Sequence, residues 1–154
     1  SYGVESMADL EDQDELDLGR NQLTSLPESF GQLESLQKLS LDGNQLTSLP
    51  ESFGQFAALQ TLRLDQNQLT SLPAEVGSCV KLEKLDLTGL GLTSLPAQLG
   101  NCVKLESLDL DGCSGLTSLP DLSGLEKLKV ERLPKAMKPW EERGYKAFAL
   151  PTEG

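Results

Sequence analysis

Leucines recur along this chain with a fixed step. One series runs Leu16, Leu39, Leu62, Leu85 and Leu108, each 23 residues after the last. The Leu-Pro pairs Leu26-Pro27, Leu49-Pro50, Leu72-Pro73 and Leu95-Pro96 keep the same step, and Leu119-Pro120 follows after 24. Self-similarity at a period of roughly 20–50 residues marks a stacked-repeat architecture. One unit, Leu36 to Ala58, reads LQKLSLDGNQLTSLPESFGQFAA. Within it Leu39-Ser40-Leu41 alternates apolar and polar, which predicts a short half-buried strand with its leucines pointing inward. Asn44 falls where the chain must turn sharply, and a buried amide there can bond the backbone of neighbouring turns. Leu46 and Leu49 point inward again. Pro50 ends that stretch, and Glu51 to Gly54 crosses the outer side as a helical or irregular turn. A single unit cannot bury its own leucines, so the units must stack into a parallel sheet over a continuous core. Six strands are expected, centred near Asp17, Ser40, Arg63, Asp86, Asp109 and Lys129.

The phased motif LxxLxLxxN resembles the leucine-rich-repeat superfamily. Its LTSLPxxxGxL half is similar to the intracellular plant, protist and Ras-pathway subclasses. Leu110-Asp-Gly-Cys-Ser-Gly-Leu116 is similar to plant immune-receptor repeats, in which Cys often replaces the turn Asn. The resemblance covers about six-sevenths of the chain. It implies an α/β fold: a right-handed solenoid with a concave parallel sheet of about six strands and short helical or irregular convex segments. It also implies protein binding, without naming a partner. Bacterial ubiquitin-ligase effectors carry Leu-Pro repeats too, but their catalytic domain lies beyond the repeats, and here only a short tail follows.

The repeats are not uniform. The turn column reads Asn21, Asn44, Asn67, then Leu90 and Cys113. Leu90 cannot make the amide's bonds, and Gly89 and Gly91 beside it predict an adjusted turn. The fifth turn has one extra residue, Ser114 or Gly115. Its outer crossing, Asp121 to Gly124, reads as four residues shorter than the others, so curvature should change near residues 113–125. Such changes are also what neutral drift in a tolerant loop produces.

Residues 1–134 form the solenoid in this reading, with a degenerate half-repeat at 1–12 and repeats over 13–134. Glu5 to Glu11 aligns with Glu28 to Glu34 one period later. That half-repeat is an acidic cap, unless upstream sequence was lost; Gln13 in place of Leu favours the cap, since terminal repeats need a polar outer face. Residues 135–154 are a C-terminal cap or a docking tail. The tail holds Trp140, Tyr145 and Phe148 among cations Lys135, Lys138, Arg143 and Lys146. A short helix over Trp140 to Ala149 fits between Pro139 and Pro151.

Charge narrows the partners. The chain has 13 Lys+Arg against 24 Asp+Glu, a net −11. That field repels nucleic acid. It keeps an apolar solenoid soluble, or it meets a basic partner. No apolar run reaches the roughly 18 residues of a membrane-spanning helix, so direct membrane insertion is not expected. The three cysteines, Cys79, Cys102 and Cys113, do not form a disulfide framework. Cys79 and Cys102 occupy the place of Leu33 and Phe56 and read as small buried hydrophobes; a disulfide or metal pair is the minority reading. An intracellular, cytoplasmic location is expected. A start at Ser1 leaves open an organelle interior, such as a plastid, after removal of a targeting segment.

No catalytic, cofactor or metal site is expected. The chain has no histidine, which removes the Ser-His-Asp and Cys-His arrangements and the commonest metal ligand. No GxxxxGK[ST] phosphate loop occurs. Three outward columns are expected on the concave face. The first is Glu15, Lys38, Thr61, Lys84, Ser107, Lys127; the second Asp17, Ser40, Arg63, Asp86, Asp109, Lys129; the third Gly19, Asp42, Asp65, Thr88, Asp111, Glu131. The candidate partner-binding residues are Lys38, Asp42, Arg63, Asp65, Lys84, Asp86, Asp109 and Asp111 on that face, with Trp140, Tyr145 and Phe148 in the tail. The expected function is a non-enzymatic interaction module or scaffold for a protein partner. The alternative is a small structural subunit built permanently into a larger multi-subunit complex.

Overall fold

The computed structural model describes residues 13–132. The N-terminal half-repeat, residues 1–12, and the tail, residues 135–154, lie outside that range. Six strands form one parallel sheet in sequence order. They are β1 (Glu15–Asp17), β2 (Lys38–Ser40), β3 (Thr61–Arg63), β4 (Lys84–Asp86), β5 (Ser107–Asp109) and β6 (Lys129–Arg132). The register aligns Leu16, Leu39, Leu62, Leu85 and Leu108 across the first five. Each strand is short because the LxL alternation lasts only that long.

Opposite the sheet, four 3-10 helices cross from repeat to repeat: Glu28–Gln32, Glu51–Gln55, Ala74–Ser78 and Ala97–Asn101. Each follows a proline, Pro27, Pro50, Pro73 or Pro96, held at φ near −70°. The ring fixes that φ, and the proline carbonyl accepts the first tight-turn bond, from Phe30, Phe53, Val76 or Leu99. Neighbouring crossings pack so closely that glycine is required in them. A Cβ on Gly77 would strike the carbonyl oxygen of Gln98, and one on Gly31 would lie 2.7 Å from that of Ser52.

Between sheet and crossings lies one continuous core of inward side chains, from Leu16 to Leu125. Leu39 and Leu62 are 1% and 0% exposed, as the alternation requires. Phe30, Phe53 and Phe56 form an aromatic cluster in the first crossings, with Phe53 and Phe56 edge to face at 4.9 Å. Val76, Leu99, Cys79 and Cys102 take over these places in later repeats, all buried.

The turn column bonds as its chemistry allows. Asn44 donates from Nδ2 to the carbonyls of Leu41 and Leu18, and its Oδ1 accepts from the backbone N–H groups of Asn21 and Leu23. Asn67 repeats this with Leu64 and Leu41 as acceptors and Leu46 as donor. Cys113 keeps part of the job: its Sγ donates to Leu87 O at 3.1 Å, the counterpart of the Asn67–Leu41 bond. At Leu90 the turn is closed by backbone alone, Leu90 N to Leu87 O.

Three expectations need correcting. The turn at Leu90 is adjusted in its backbone bonding, Leu90 N to Leu87 O, but Gly89 is not what sets it apart. Gly89 has φ +76°, but so does Gly112, and Arg20, Gly43 and Gln66 at the same repeat position also have positive φ. The left-handed residue belongs to every one of these turns, and Gly91 is not part of it. Second, β6 begins two residues later than the period predicts. Its register pairs Ser107 with Lys129, Leu108 with Val130 and, past a bulge, Asp109 with Arg132. Lys127 therefore precedes the strand, and Lys129 belongs to the first column rather than the second. Third, the last crossing is not four residues shorter. Leu125 N bonds Leu122 O and Leu128 N bonds Leu125 O, just as Cys102 N bonds Leu99 O and Leu105 N bonds Cys102 O. Leu122, Leu125 and Leu128 are thus the counterparts of Leu99, Cys102 and Leu105, and only two residues are missing between Pro120 and the sheet.

Two stability predictions follow from this packing. Leu62→Ala should cost about 2–5 kcal/mol, the range for a core leucine, while Ser40→Ala on the outer sheet face should stay within about 0.5 kcal/mol; equal shifts in urea melts would contradict the inward–outward assignment. Gly89→Ala forces a side chain into the left-handed region and should cost on the order of 1 kcal/mol. Gln66→Gly removes the same strain one repeat earlier and should raise the midpoint instead, read in the same melts.

Candidate protein-binding face

The outward residues of each strand stack into rows along the sheet. The first row is Glu15, Lys38, Thr61, Lys84, Ser107 and Lys129; the second is Asp17, Ser40, Arg63, Asp86, Asp109 and Arg132. Beyond the strand ends lies a third, with Asp42, Asp65, Thr88 and Asp111. Adjacent strands are about 4.8 Å apart, so charges in a row or in neighbouring rows interact directly.

Two arginines clamp the acidic row. Arg63 Nη2 sits 3.2 Å from Asp65 Oδ2 and 3.7 Å from Asp42 Oδ2. Arg132 reaches Asp109 at 2.7 Å and Asp111 at 3.3 Å. Lys38 pairs with Glu15 at 3.3 Å on the exposed first row. The second-row aspartates also close the strand exits. The Oδ1 atoms of Asp17, Asp86 and Asp109 accept the backbone N–H of Gly19, Thr88 and Asp111, and the Thr88 hydroxyl donates to Asp86 as well. These carboxylates therefore shape the face as well as charge it.

The clamps leave unequal electrostatics. Burial, then the neighbouring Asp86 charge, raise the Asp65 carboxyl above its ordinary 3.8 despite the bond from Arg63. Its Oδ1 is buried with no hydrogen-bond partner among the described residues. At Asp109 partial burial also pushes upward, but the Arg132 hydrogen bonds and the Asp111 N–H outweigh it, and that carboxyl lies below 3.8.

Between the clamps is a shallow depression of about 200 Å³ across β3, β4 and β5. Thr61 and Ser107 flank Lys84 along its first row, Leu62 and Leu85 lie buried beneath it, and Arg63, Asp86 and Asp109 line the other side. Thr61 and Ser107 are short, so the sheet is less covered there than under the arginine clamps. Lys84 makes no ion pair among the described residues.

The cysteines lie in the core rather than on this face. Cys79, Cys102 and Cys113 are free and buried. Each Sγ donates to a carbonyl one repeat earlier, on Phe53, Val76 and Leu87 respectively. Burial pushes their thiols up to about 12, 11 and 11, and a thiol held protonated is a poor nucleophile. Among the described residues no three His, Cys, Asp or Glu side chains are grouped to hold a metal.

Lys38, Asp42, Arg63, Asp65, Lys84, Asp86, Asp109 and Asp111 thus share one face, as the alternation predicted. Trp140, Tyr145 and Phe148 lie outside the described residues. Sequence reasoning missed Arg132, because the bulge in β6 hides its register. It also missed the depression, although Thr61 and Ser107 on either side of Lys84 were a visible sign of it.

Residues 3–46 match a family model described as leucine rich repeat, and residues 58–79 match a second of the same description. The chain is built of leucine-rich repeats. Solved structures agree. A leucine-rich-repeat protein of Leptospira interrogans is 33% identical over 82% of this chain and 38% of its own, with TM-score 0.63. An internalin of Listeria monocytogenes is 25% identical over 82% of this chain and 36% of its own, with TM-score 0.72. The ectodomain of the plant membrane receptor kinase GASSHO1/SCHENGEN3 from Arabidopsis thaliana, solved in complex with Casparian strip integrity factor 2, is 27% identical over 81% of this chain and 18% of its own, with TM-score 0.62. The chain therefore spans well under half the length of these relatives. The curated proteins give no match.

The two clamped carboxyls should respond oppositely to neutralisation. Asp109 has a lowered folded pKa, so its charge stabilises the fold above the unfolded value, and this is lost as pH falls through the folded one. Asp109→Asn should therefore lower the melting midpoint at neutral pH. Asp65 has a raised folded pKa, so its charge costs stability above that pKa, and the cost disappears as pH falls through it. Asp65→Asn should leave the midpoint unchanged or raise it. Thermal melts of both variants from neutral to acid pH check the signs, and both differences should shrink toward low pH.

Proposed function

We propose that this chain is a non-enzymatic interaction module that holds a protein partner on its sheet face, centred on the depression over β3 to β5. The observation that carries this reading is Lys84, unpaired among the described residues, in an uncovered stretch between two arginine-clamped acidic patches. Leucine-rich-repeat domains generally mediate protein–protein interaction, and the plant ectodomain it resembles is itself in complex with a partner. Among the described residues the face has charge but no aromatic anchor, so it suits a polar contact that gains orientation and on-rate from complementary charge. The buried free thiols suit a reducing compartment, which supports a cytoplasmic location. The LTSLP half-motif supports assignment to an intracellular subclass of the family.

Crosslinking mass spectrometry on a complex captured from native extract would identify the partner, and binding kinetics would then test the face. Lys84→Glu should weaken the complex by more than about 1 kcal/mol and alter its salt dependence, with the melting midpoint unchanged. If Trp140→Ala weakens binding and Lys84→Glu does not, the tail carries the contact and the sheet-face reading fails. A partner that never dissociates during purification would support the permanent-subunit alternative.

A further inference from the structure

Val80 and Val103 are 47% and 58% exposed, the only exposed large hydrophobics among the described residues. They occupy the same place one repeat apart, just after the crossings Ala74–Ser78 and Ala97–Asn101. Ala57 precedes them in this row, and Glu34 and Glu126 stand at its ends, so the apolar stretch is confined to the middle of the array. Beside the valines run exposed lysines, Lys81, Lys104 and Lys127. None of the three makes a hydrogen bond or ion pair among the described residues. On the sheet face Lys38, Arg63 and Arg132 are paired with carboxylates, while Lys84 and Lys129 make no ion pair among the described residues. On a chain of net charge −11, this flank brings free cations and solvent-exposed apolar surface together.

We propose that the Val80–Val103 flank is a second docking surface, separate from the sheet face, and that it takes an acidic segment of a protein partner that also carries aliphatic side chains. The aliphatic groups cover the valines and the carboxylates lie over Lys81 and Lys104. Charge and apolar surface together select this occupant: Lys84 and Lys129 on the sheet face also make no ion pair among the described residues, but it is Lys81 and Lys104 that stand beside the exposed valines. Glu83 and Glu106 sit nearer the sheet, beside Lys104 and Lys127. They bound the acidic segment on that side and keep it off the sheet face.

Amide-resolved NMR of the whole chain, titrated with a short synthetic peptide alternating Glu and Leu, tests this directly. Perturbations should concentrate on residues 78–82 and 101–105, with the sheet face unaffected. The paired change Val80→Ser with Val103→Ser, and separately Lys81→Glu with Lys104→Glu, should each weaken binding by about tenfold or more. A control peptide with Gln for Glu should also bind at least about tenfold more weakly. The proposal is overturned if the perturbations fall on the sheet face, if the variants bind as the parent does, or if no perturbation appears. It is also overturned if the flank resonances shift with protein concentration alone, which would make a second copy the occupant.

Discussion

The structure depends on a constraint of stacking: no repeat can satisfy its own leucines or its own backbone. A unit of 23 residues has too little thickness to cover an apolar interior, so each core side chain is buried by its neighbours on both sides. The backbone follows the same rule. The strands are only three or four residues long, and they hold because each bonds parallel neighbours. Asn44 and Asn67 extend this to the turns, where one amide joins backbone groups of two successive repeats. Cys113 shows how far that role tolerates change: a thiol still supplies the donor but has no amide oxygen to offer.

This stacking creates the surface on which function is proposed. Because the repeats are in register, outward residues fall into rows at strand spacing, and one substitution per repeat is enough to give a row its character. Acidic residues accumulate at the strand exits, where carboxylates also accept backbone N–H groups. Arg63 and Arg132 partly neutralise that row at two places. The middle is left with Lys84 between short hydroxyl side chains. The same logic applies on the flank, where two valines in equivalent positions become a patch only because the repeats place them side by side.

Much of this was legible without coordinates. The period located five of six strands to the residue, since LxL can meet the core in only one phase. The prolines predicted where each crossing begins, and the replacement of Phe56 by Cys79 and Cys102 predicted buried thiols. The errors fall where the period itself fails. After Pro120 two residues are lost, and the triplet of leucines at 122, 125 and 128 fits two phases on paper. Backbone hydrogen bonding chose between them, moving Lys127 out of the sheet and bringing Arg132 into it.

The sequence alone therefore determined the repeat and the side of the sheet that faces the core, because each depends only on spacing or residue type. The tertiary structure decided which charges meet. Whether Arg63 reaches Asp42 as well as Asp65, whether Asp109 is held down by Arg132 while Asp65 is pushed up by burial and Asp86, and whether Lys84 stays unpaired are matters of a few ångströms between strands. Those distances depend on register, on the bulge in β6 and on side-chain packing. The left-handed turn at Arg20 and Gln66 belongs here too: glycine at 43, 89 and 112 hinted at it, but only the backbone path shows that the stacking imposes the same conformation on residues without that freedom.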